Sequence, residues 1–507
     1  MKIFFSGIGG IGMSGLAGIF NALGFEIIGS DIKESTVTKM LNDLGIHVFI
    51  GQKAENIENT KPDLLIKTNA LPDDHIELVT ARKLNIPILS YPQGLGIISN
   101  ILPSIGITGT HGKTSTTAIV ANILMKADYD IFALIGTLFK PFNNTNFKIA
   151  KINNTQKQNL ANQVQNILTT TNTKFTFTRE LFKNYKKDYS LPYFIFEADE
   201  YKDAFLNHTL DYLIITAVDY DHLDYFKTHE HYLTSFATAI LNTKKAVILN
   251  KQDKIIQQIL DIAISKLEEY NSTRDKDQKR NLPQIIDYSE YLEQAQNSPL
   301  YLKTQFLIED LASALGLANL LNIKSQDLQK GIKTYKGAWR RFEIIRDKNP
   351  TTINDYAHNP KKILYASYAL LDYAKTNNLT NLIIYWEPHQ YNRTYNLQDE
   401  YAKSLFEILK APQIKEFYIT DVFAARSTKE EMERFNTQIF IKNLKHKLKQ
   451  LGASDKQIQK LKYAKGAEYT LKKLQNHTEN PQLLPENTAI LILSAGTLGS
   501  KIYTIAN

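Results

Sequence analysis

The chain contains no cysteine. Disulfides, thiolate metal centres and cysteine nucleophiles are therefore excluded, and the composition suits a reducing compartment. No apolar run is long enough to span a bilayer. The opening "MKIFFSGIGGIGMSGLAGIF" carries a lysine and apolar residues. Repeated glycines break its apolar core and no clear cleavage site follows, so it is not read as a secretion signal. A cytoplasmic protein without membrane insertion is expected. A dominant charge is also missing. The formal net charge of +8 over 507 residues is weak and scattered, and no aromatic–basic pattern of an RNA-binding module is present, so no nucleic-acid partner is expected. No short-period repeat is visible, which excludes a solenoid.

What is present is ordinary globular material, 43% hydrophobic and 22% charged, enough for two to four domains. Short apolar runs alternate with helical spacing throughout. "KIFFSGIGG", "FEIIGSD", "LGIHVFIG", "KPDLLIKTNA" and "NIPILS" read as strands of a small doubly wound domain. A second domain opens with "SIGITGT" and the helix "KTSTTAIVANILMKA", and regains core signal at "PYFIFEADE", "DYLIITAVDYDHLDYF" and "KKAVILN". Residues 140–190 are rich in Asn, Thr, Lys and Gln and read as an insertion or surface segment rather than core. A third α/β unit follows "YKGAWRRFEII", with strands at "TTINDYAH", "NLIIYWEP", "EFYITDVF" and "TAILILSAG". The expected architecture is α/β in three domains. Residues 1–102 would form a Rossmann-like domain, 103–336 a P-loop ATPase-like domain carrying the polar insertion, and 337–507 a second Rossmann-like domain.

Two glycine motifs carry chemistry. Gly7, Gly9 and Gly12 give G-x-G-x-x-G between a strand and a helix, where backbone can approach a pyrophosphate at a helix N-terminus. Asp31 lies about where a ribose-binding acid sits. The motif alone does not separate NAD from a UDP-sugar. The stretch "GITGTHGKTSTT" is a shortened phosphate loop: only Thr110 and His111 separate Gly109 from Gly112, where the common pattern has four residues. Its amides can wrap phosphate oxygens, Lys113 adds a point charge, and Thr114 or Ser115 offers a hydroxyl to Mg²⁺.

Carboxylates follow at a strand end in "FEADEY": Glu197, Asp199 and Glu200. Glu197 is the expected metal ligand. "DYDHLDYF" adds Asp219, Asp221, His222 and Asp224, with His222 a candidate for metal or phosphate. In the third domain Asp355, His358 and Asn359, then His389 and Arg393, stand at strand ends, where α/β sheets bind ligands. Arg393 could clamp a carboxylate bidentately. Arg340 and Arg341 in "WRRFE" either form a salt-bridge knot or reach a nucleotide.

Taken together, "GIGGIGMSGLA" with "GSD", "GTHGKTSTT", "EADEY", "DHLDYF", "KGAWRRFE", "DYAHNP" and "EPHQYNRT" resemble, in order, the blocks of the Mur ligases, ATP-dependent amino-acid ligases of peptidoglycan precursor synthesis. Within that family they look most like the member joining L-alanine to UDP-N-acetylmuramate. The resemblance implies ATP and Mg²⁺ as cofactors, a monomer or homodimer, and an acyl-phosphate route to an amide. It implies UDP-sugar contacts at Gly9, Gly10, Ile11, Gly12, Ser14 and Asp31. ATP would lie against Gly109, Thr110, His111, Gly112, Lys113, Thr114, Ser115, Arg341 and Asp355. Mg²⁺ would sit on Thr114, Glu197 and His222, and the amino acid on His358, Asn359 and Arg393. Lys113, Glu197, His222, His358 and Arg393 form the implied catalytic set.

Some positions depart from the family pattern. Asn359 replaces a second His, Glu309-Asp310 stands where a His-Asn pair is usual, and Thr497 replaces an acid. The rivals are the related ligase that attaches a recycled tripeptide, folylpolyglutamate synthases, a nicotinamide dehydrogenase, and a nucleotide-dependent binding protein without ligase activity. The last two leave the downstream blocks unexplained.

Overall fold

A computed structural model describes residues 1–169, 187, 191–220, 225–275, 278–425 and 427–506. The chain divides into two compact units, Met1–Tyr301 with Phe306–Tyr335, and Leu302–Gln305 with Lys336–Asn507.

The first unit holds two sheets. Strands β1 (Lys2–Ser6), β2 (Glu26–Asp31), β3 (His47–Ile50), β4 (Leu64–Lys67) and β5 (Ile88–Ser90) are all parallel, in the order β3-β2-β1-β4-β5. Ile3, Phe4 and Phe5 are fully buried, because helices cover both faces of a central parallel strand. The strand order reverses between β1 and β4, which leaves a crevice at their C-terminal ends.

The second sheet comprises β6 (Ser104–Thr108), β7 (Ile131–Phe139), β8 (Thr145–Lys148), β9 (Tyr193–Glu197), β10 (Tyr212–Ile215), β11 (Ala246–Leu249) and β12 (Gln284–Asp287). Its order is β12-β11-β10-β6-β9-β7-β8, parallel except for β7 with β8. β6 lies at the switch point, flanked by β9 and β10, so loops from all three strands converge at one edge.

The two sheets share one core, which draws on Leu16 and Phe20 from the helix that follows β1 and on Leu134 and Phe147 from the second sheet. The expected boundary at residue 102 thus falls between two sheets of one compact unit. The helix Ile11–Ala22 presents Gly12, Gly15 and Gly18 at helical spacing. A Cβ on Gly15 would overlap Leu134 and lie 2.7 Å from Asn146 Nδ2, and one on Gly18 would lie 2.6 Å from the Phe147 ring. Small residues are required there for close packing.

The reading of 140–190 as non-core needs correction where the structure describes it. β8 is half buried, with Asn146 Nδ2 donating to Ile11 O at 2.5 Å. The helix Asn154–Thr169 buries Leu160, Val164 and Ile167 along one face. Lys187 is buried, donating to Asp211 Oδ2 at 2.8 Å.

The second unit is a sheet of β13 (Glu343–Arg346), β14 (Thr351–Asp355), β15 (Asn381–Glu387), β16 (Ile414–Thr420), β17 (Leu461–Ala464) and β18 (Thr488–Ser494). The order is β13-β14-β18-β15-β16-β17, parallel except for β13 with β14. β14, β18 and β15 are neighbours, so the loops after them gather at one end.

Candidate active site

β6 runs into the shortened loop and then into the helix Lys113–Lys126. Gly109 (φ +129°) and Gly112 (φ +82°) adopt backbone conformations that L side chains rarely enter. A Cβ on Gly109 would also meet Ala217 O at 2.7 Å. Thr110 staples the loop: its N–H donates to Ala217 O at 2.7 Å and its Oγ1 to Asp219 O at 2.8 Å. The Thr110 amide is therefore not among those able to meet a phosphate, contrary to the expectation for the whole loop. His111 Nε2 lies 3.3 Å from Asp219 Oδ2.

Lys113 Nζ donates to both carboxylate oxygens of Glu200, at 2.9 and 2.7 Å, and to Gly109 O. Burial alone would lower the lysine pKa. The charges of Glu200, Asp199 and Glu197 more than offset this and hold it above its usual value. Thr114 Oγ1 donates to Glu197 Oε2 at 3.1 Å, and Glu197 Oε1 accepts the Gly136 N–H at 2.5 Å. Thr114, rather than Ser115, is thus the hydroxyl brought to the expected metal carboxylate. Two hard oxygen donors side by side fit Mg²⁺, which keeps waters and phosphate oxygens as its other ligands. The third expected ligand, His222, lies outside the described residues, as do Asp221 and Asp224. Among the described residues no group of three His, Cys, Asp or Glu side chains could hold a metal. Glu200 is the residue that sequence reasoning underused. It stands beyond the end of β9, where strand alternation says nothing of its direction.

The glycine loop after β1 lies at the crevice of the first sheet. Gly9, Gly10, Ile11 and Gly12 are all at least partly accessible. Asp31 Oδ2 accepts the Gly9 N–H at 2.8 Å and Oδ1 the Ile32 N–H at 2.8 Å, so this carboxylate fastens the loop. Ser14 is fully buried and donates to Ile11 O at 3.0 Å, which makes it a loop-shaping residue. A cleft of ≈ 360 Å³ opens at the ends of β4 and β5, lined among others by Lys67, Asn69, Ser90, Gln93, Lys202 and Asn207. Lys202 (φ 55°) and Asp203 (φ 56°) are consecutive left-handed residues, a strained turn. Asp203 accepts hydrogen bonds from Tyr225 Oη at 2.5 Å and from Ser235.

In the second unit Asp355 accepts the Phe342 and Ala357 N–H groups, both at 2.7 Å. Burial raises its pKa against the opposing pull of Arg341. Arg340 is buried, donates to Ser494 O and packs over Trp339 and Tyr356, so of the two arginines only Arg341 retains partial exposure. The His358 and His389 rings meet at a tilt of 51°, with 5.5 Å between centroids. Burial, with the charges of Lys362 and Arg393, pulls the His358 pKa down to about 3, so its imidazole is neutral at physiological pH. Asn359 Oδ1 caps the helix Pro360–Thr376 by accepting the Lys362 N–H at 2.9 Å. Its carbonyl oxygen is thus engaged within the protein. Near Thr497, Glu387 is buried and accepts hydrogen bonds from Ser494 Oγ at 2.5 Å and Leu498 N at 3.0 Å.

Residues 2–101 match the Mur ligase family catalytic domain and residues 107–323 the Mur ligase middle domain. The chain belongs to the Mur ligase family. It is 31% identical to the UDP-N-acetylmuramate–L-alanine ligase of Clostridium acetobutylicum, over 84% of each chain. Its fold is similar to a crystal structure of the UDP-N-acetylmuramate–alanine ligase of Thermotoga maritima, with a TM-score of 0.66, 22% identity and coverage of 99% of this chain and 98% of the other. It is also similar to the murein peptide ligase of Psychrobacter arcticus, with a TM-score of 0.57, 19% identity and coverage of 100% and 99%.

Proposed function

We propose that this protein is an ATP-dependent ligase joining L-alanine to the carboxylate of UDP-N-acetylmuramate. The observation that carries the reading is the pair of contacts at the shortened loop, Lys113 with Glu200 and Thr114 with Glu197, in a chain of this family.

A carboxylate oxygen attacks the γ-phosphorus of ATP, the bond to the β–γ bridging oxygen breaks, and ADP leaves with the electron pair. The amine of L-alanine then attacks the acyl carbonyl, and the tetrahedral adduct expels phosphate and loses a proton to leave the amide. The first step crowds several negative charges together. Lys113 turns its ammonium from Glu200 toward the phosphates, and the loop amides donate to their oxygens. Thr114 and Glu197 would hold Mg²⁺, whose charge screens the approaching carboxylate from the triphosphate. The cleft with Lys67 and Lys202, together with the glycine loop, would take the anionic UDP-sugar. Arg393 would clamp the amino-acid carboxylate, because the neutral His358 can offer a hydrogen bond but no charge.

The test is phosphate release by purified protein with ATP, Mg²⁺ and UDP-N-acetylmuramate, adding L-alanine, glycine, L-serine or the L-alanyl-γ-D-glutamyl-diaminopimelate tripeptide in separate reactions. Release that requires both the UDP-sugar and L-alanine is expected. Release only with the tripeptide would assign the protein to the recycling branch instead.

A further inference from the structure

The helix Tyr91–Ile101 starts directly after β5, and its first residue turns back across the glycine loop. A Cβ on Gly12 would lie 2.8 Å from both Cζ and Oη of Tyr91, so the phenol end rests on the bare backbone of the third loop glycine. The ring packs against the shared core. Its hydroxyl makes no hydrogen bond among the described residues, whereas a polar group inside a protein ordinarily finds a partner.

The acidic end of β9 approaches the same point. Burial, helped by the negative charges of Glu197 and Asp199, holds the proton on the Tyr91 phenol more firmly than in free tyrosine. The architecture ties the two sides together. Gly15 packs on Leu134 of β7 and Asn146 Nδ2 holds Ile11 O, while Gly136, two residues further along β7, donates its N–H to Glu197. The glycine loop and the expected metal carboxylate therefore flank one strand, and Tyr91 rests on the loop within electrostatic reach of that carboxylate.

Resting on the reading of the protein as a UDP-N-acetylmuramate ligase, we propose that the Tyr91 hydroxyl donates a hydrogen bond to the reacting carboxylate of the UDP-sugar and fixes it in line with the γ-phosphate held at Lys113 and Thr114. A substrate held by the glycine loop must project its carboxylate toward Lys113. Tyr91 places beside that loop a hydroxyl that has no hydrogen-bond partner among the described residues. A phenol that keeps its proton acts as a donor and not as a base, so it orients one carboxylate oxygen while the other attacks.

Tyr91→Phe removes only this hydroxyl. It should lower kcat for L-alanine-dependent phosphate release by roughly 10- to 100-fold. KM for MgATP and the calorimetric Kd for UDP-N-acetylmuramate should stay within about threefold, because the lost bond matters most in the aligned complex. Its melting temperature should match the wild type within about 1 °C, since no folded-state bond is lost. Wild-type kcat in Tyr91→Phe would overturn the proposal. So would a fall in activity matched by equal losses of melting temperature and UDP-sugar binding, which marks a merely structural ring. Tyr91→Leu separates the ring from the hydroxyl. If it loses UDP-sugar affinity while Tyr91→Phe keeps full turnover, the ring is a binding wall and the hydroxyl assignment is wrong. A wild type inert toward UDP-N-acetylmuramate sinks the functional reading and this proposal together. An active wild type with an equally active Tyr91→Phe sinks this one alone.

Discussion

Substituting Glu200 by Gln leaves the Lys113 ammonium near the phosphate loop without its counter-charge. Glu200 is 1% exposed and Lys113 19%, so neither group can turn fully to water. Removing one partner of a buried pair costs about 3–5 kcal/mol. Lys113 keeps Gly109 O and some solvent, which puts the cost at about 3 kcal/mol, the low end of that range. A unit of roughly 330 residues has an unfolding entropy of about 0.7 kcal/mol/K, so Glu200→Gln should melt about 4 °C lower than the wild type.

Lys113→Met strands the carboxylate instead and should cost a similar amount. The double variant removes both charges and should be less destabilised than the two single effects summed, by about 2–3 kcal/mol of coupling. The lysine pKa is raised in the folded protein, so the pair contributes fully below the unfolded value of about 10.4 and is lost as pH rises through the folded one. Calorimetric melting at pH 7.5 therefore reads the whole effect. Phosphate release should survive in Glu200→Gln within roughly tenfold and fall below roughly 1% in both variants lacking Lys113. UDP-sugar binding should persist in those two, since Lys113 does not line the cleft proposed for it. Strictly additive melting shifts would mean that Lys113 and Glu200 are not a coupled pair, and turnover without Lys113 would mean that its ammonium does not serve the phosphates.

Three further outcomes are expected. Arg393→Ala should raise KM for L-alanine by roughly 10- to 100-fold in steady-state assays with little change for MgATP, and Arg393→Lys should recover only part of that loss. Asn359→Ala should cost about 1 kcal/mol in denaturant unfolding through the lost helix cap while leaving KM for L-alanine nearly unchanged. His208, buried beside Ser99 at 2.8 Å with its pKa pulled down to about 3, must be neutral in the folded protein. Its depressed pKa means stability is intact above about pH 6.5 and falls at up to about 1.4 kcal/mol per pH unit as pH drops from there toward 3. His208→Gln should flatten the melting-temperature profile between pH 6.5 and 4.5.

Much of the candidate phosphate site was legible because its residues lie close together in the chain. Gly109, Gly112, Lys113 and Thr114 are contiguous, and Glu197 ends an apolar strand whose neighbour is β6. What escaped notice depends on contacts between distant segments. Gly12, Gly15 and Gly18 look like a ligand loop running into a helix, yet the last two exist to seat Leu134 and Phe147. The composition of residues 140–169 is polar, but the few apolar side chains there fall on one face, and Asn146 is buried because Ile11 O needs a donor. Asn359 stood out as a departure from the family pattern, while its helix-capping bond is visible only in three dimensions. Tyr91 carried no motif at all.

If the protein is the proposed ligase, the loop at Gly109–Lys113 delivers a phosphoryl group from ATP to a carboxylate. The decisive measurement prepares UDP-N-acetylmuramate with ¹⁸O in both carboxylate oxygens and follows the label through turnover with ATP, Mg²⁺ and L-alanine. One ¹⁸O should pass to inorganic phosphate for every amide formed. Amide formation with unlabelled phosphate, or phosphate release without amide, would contradict it.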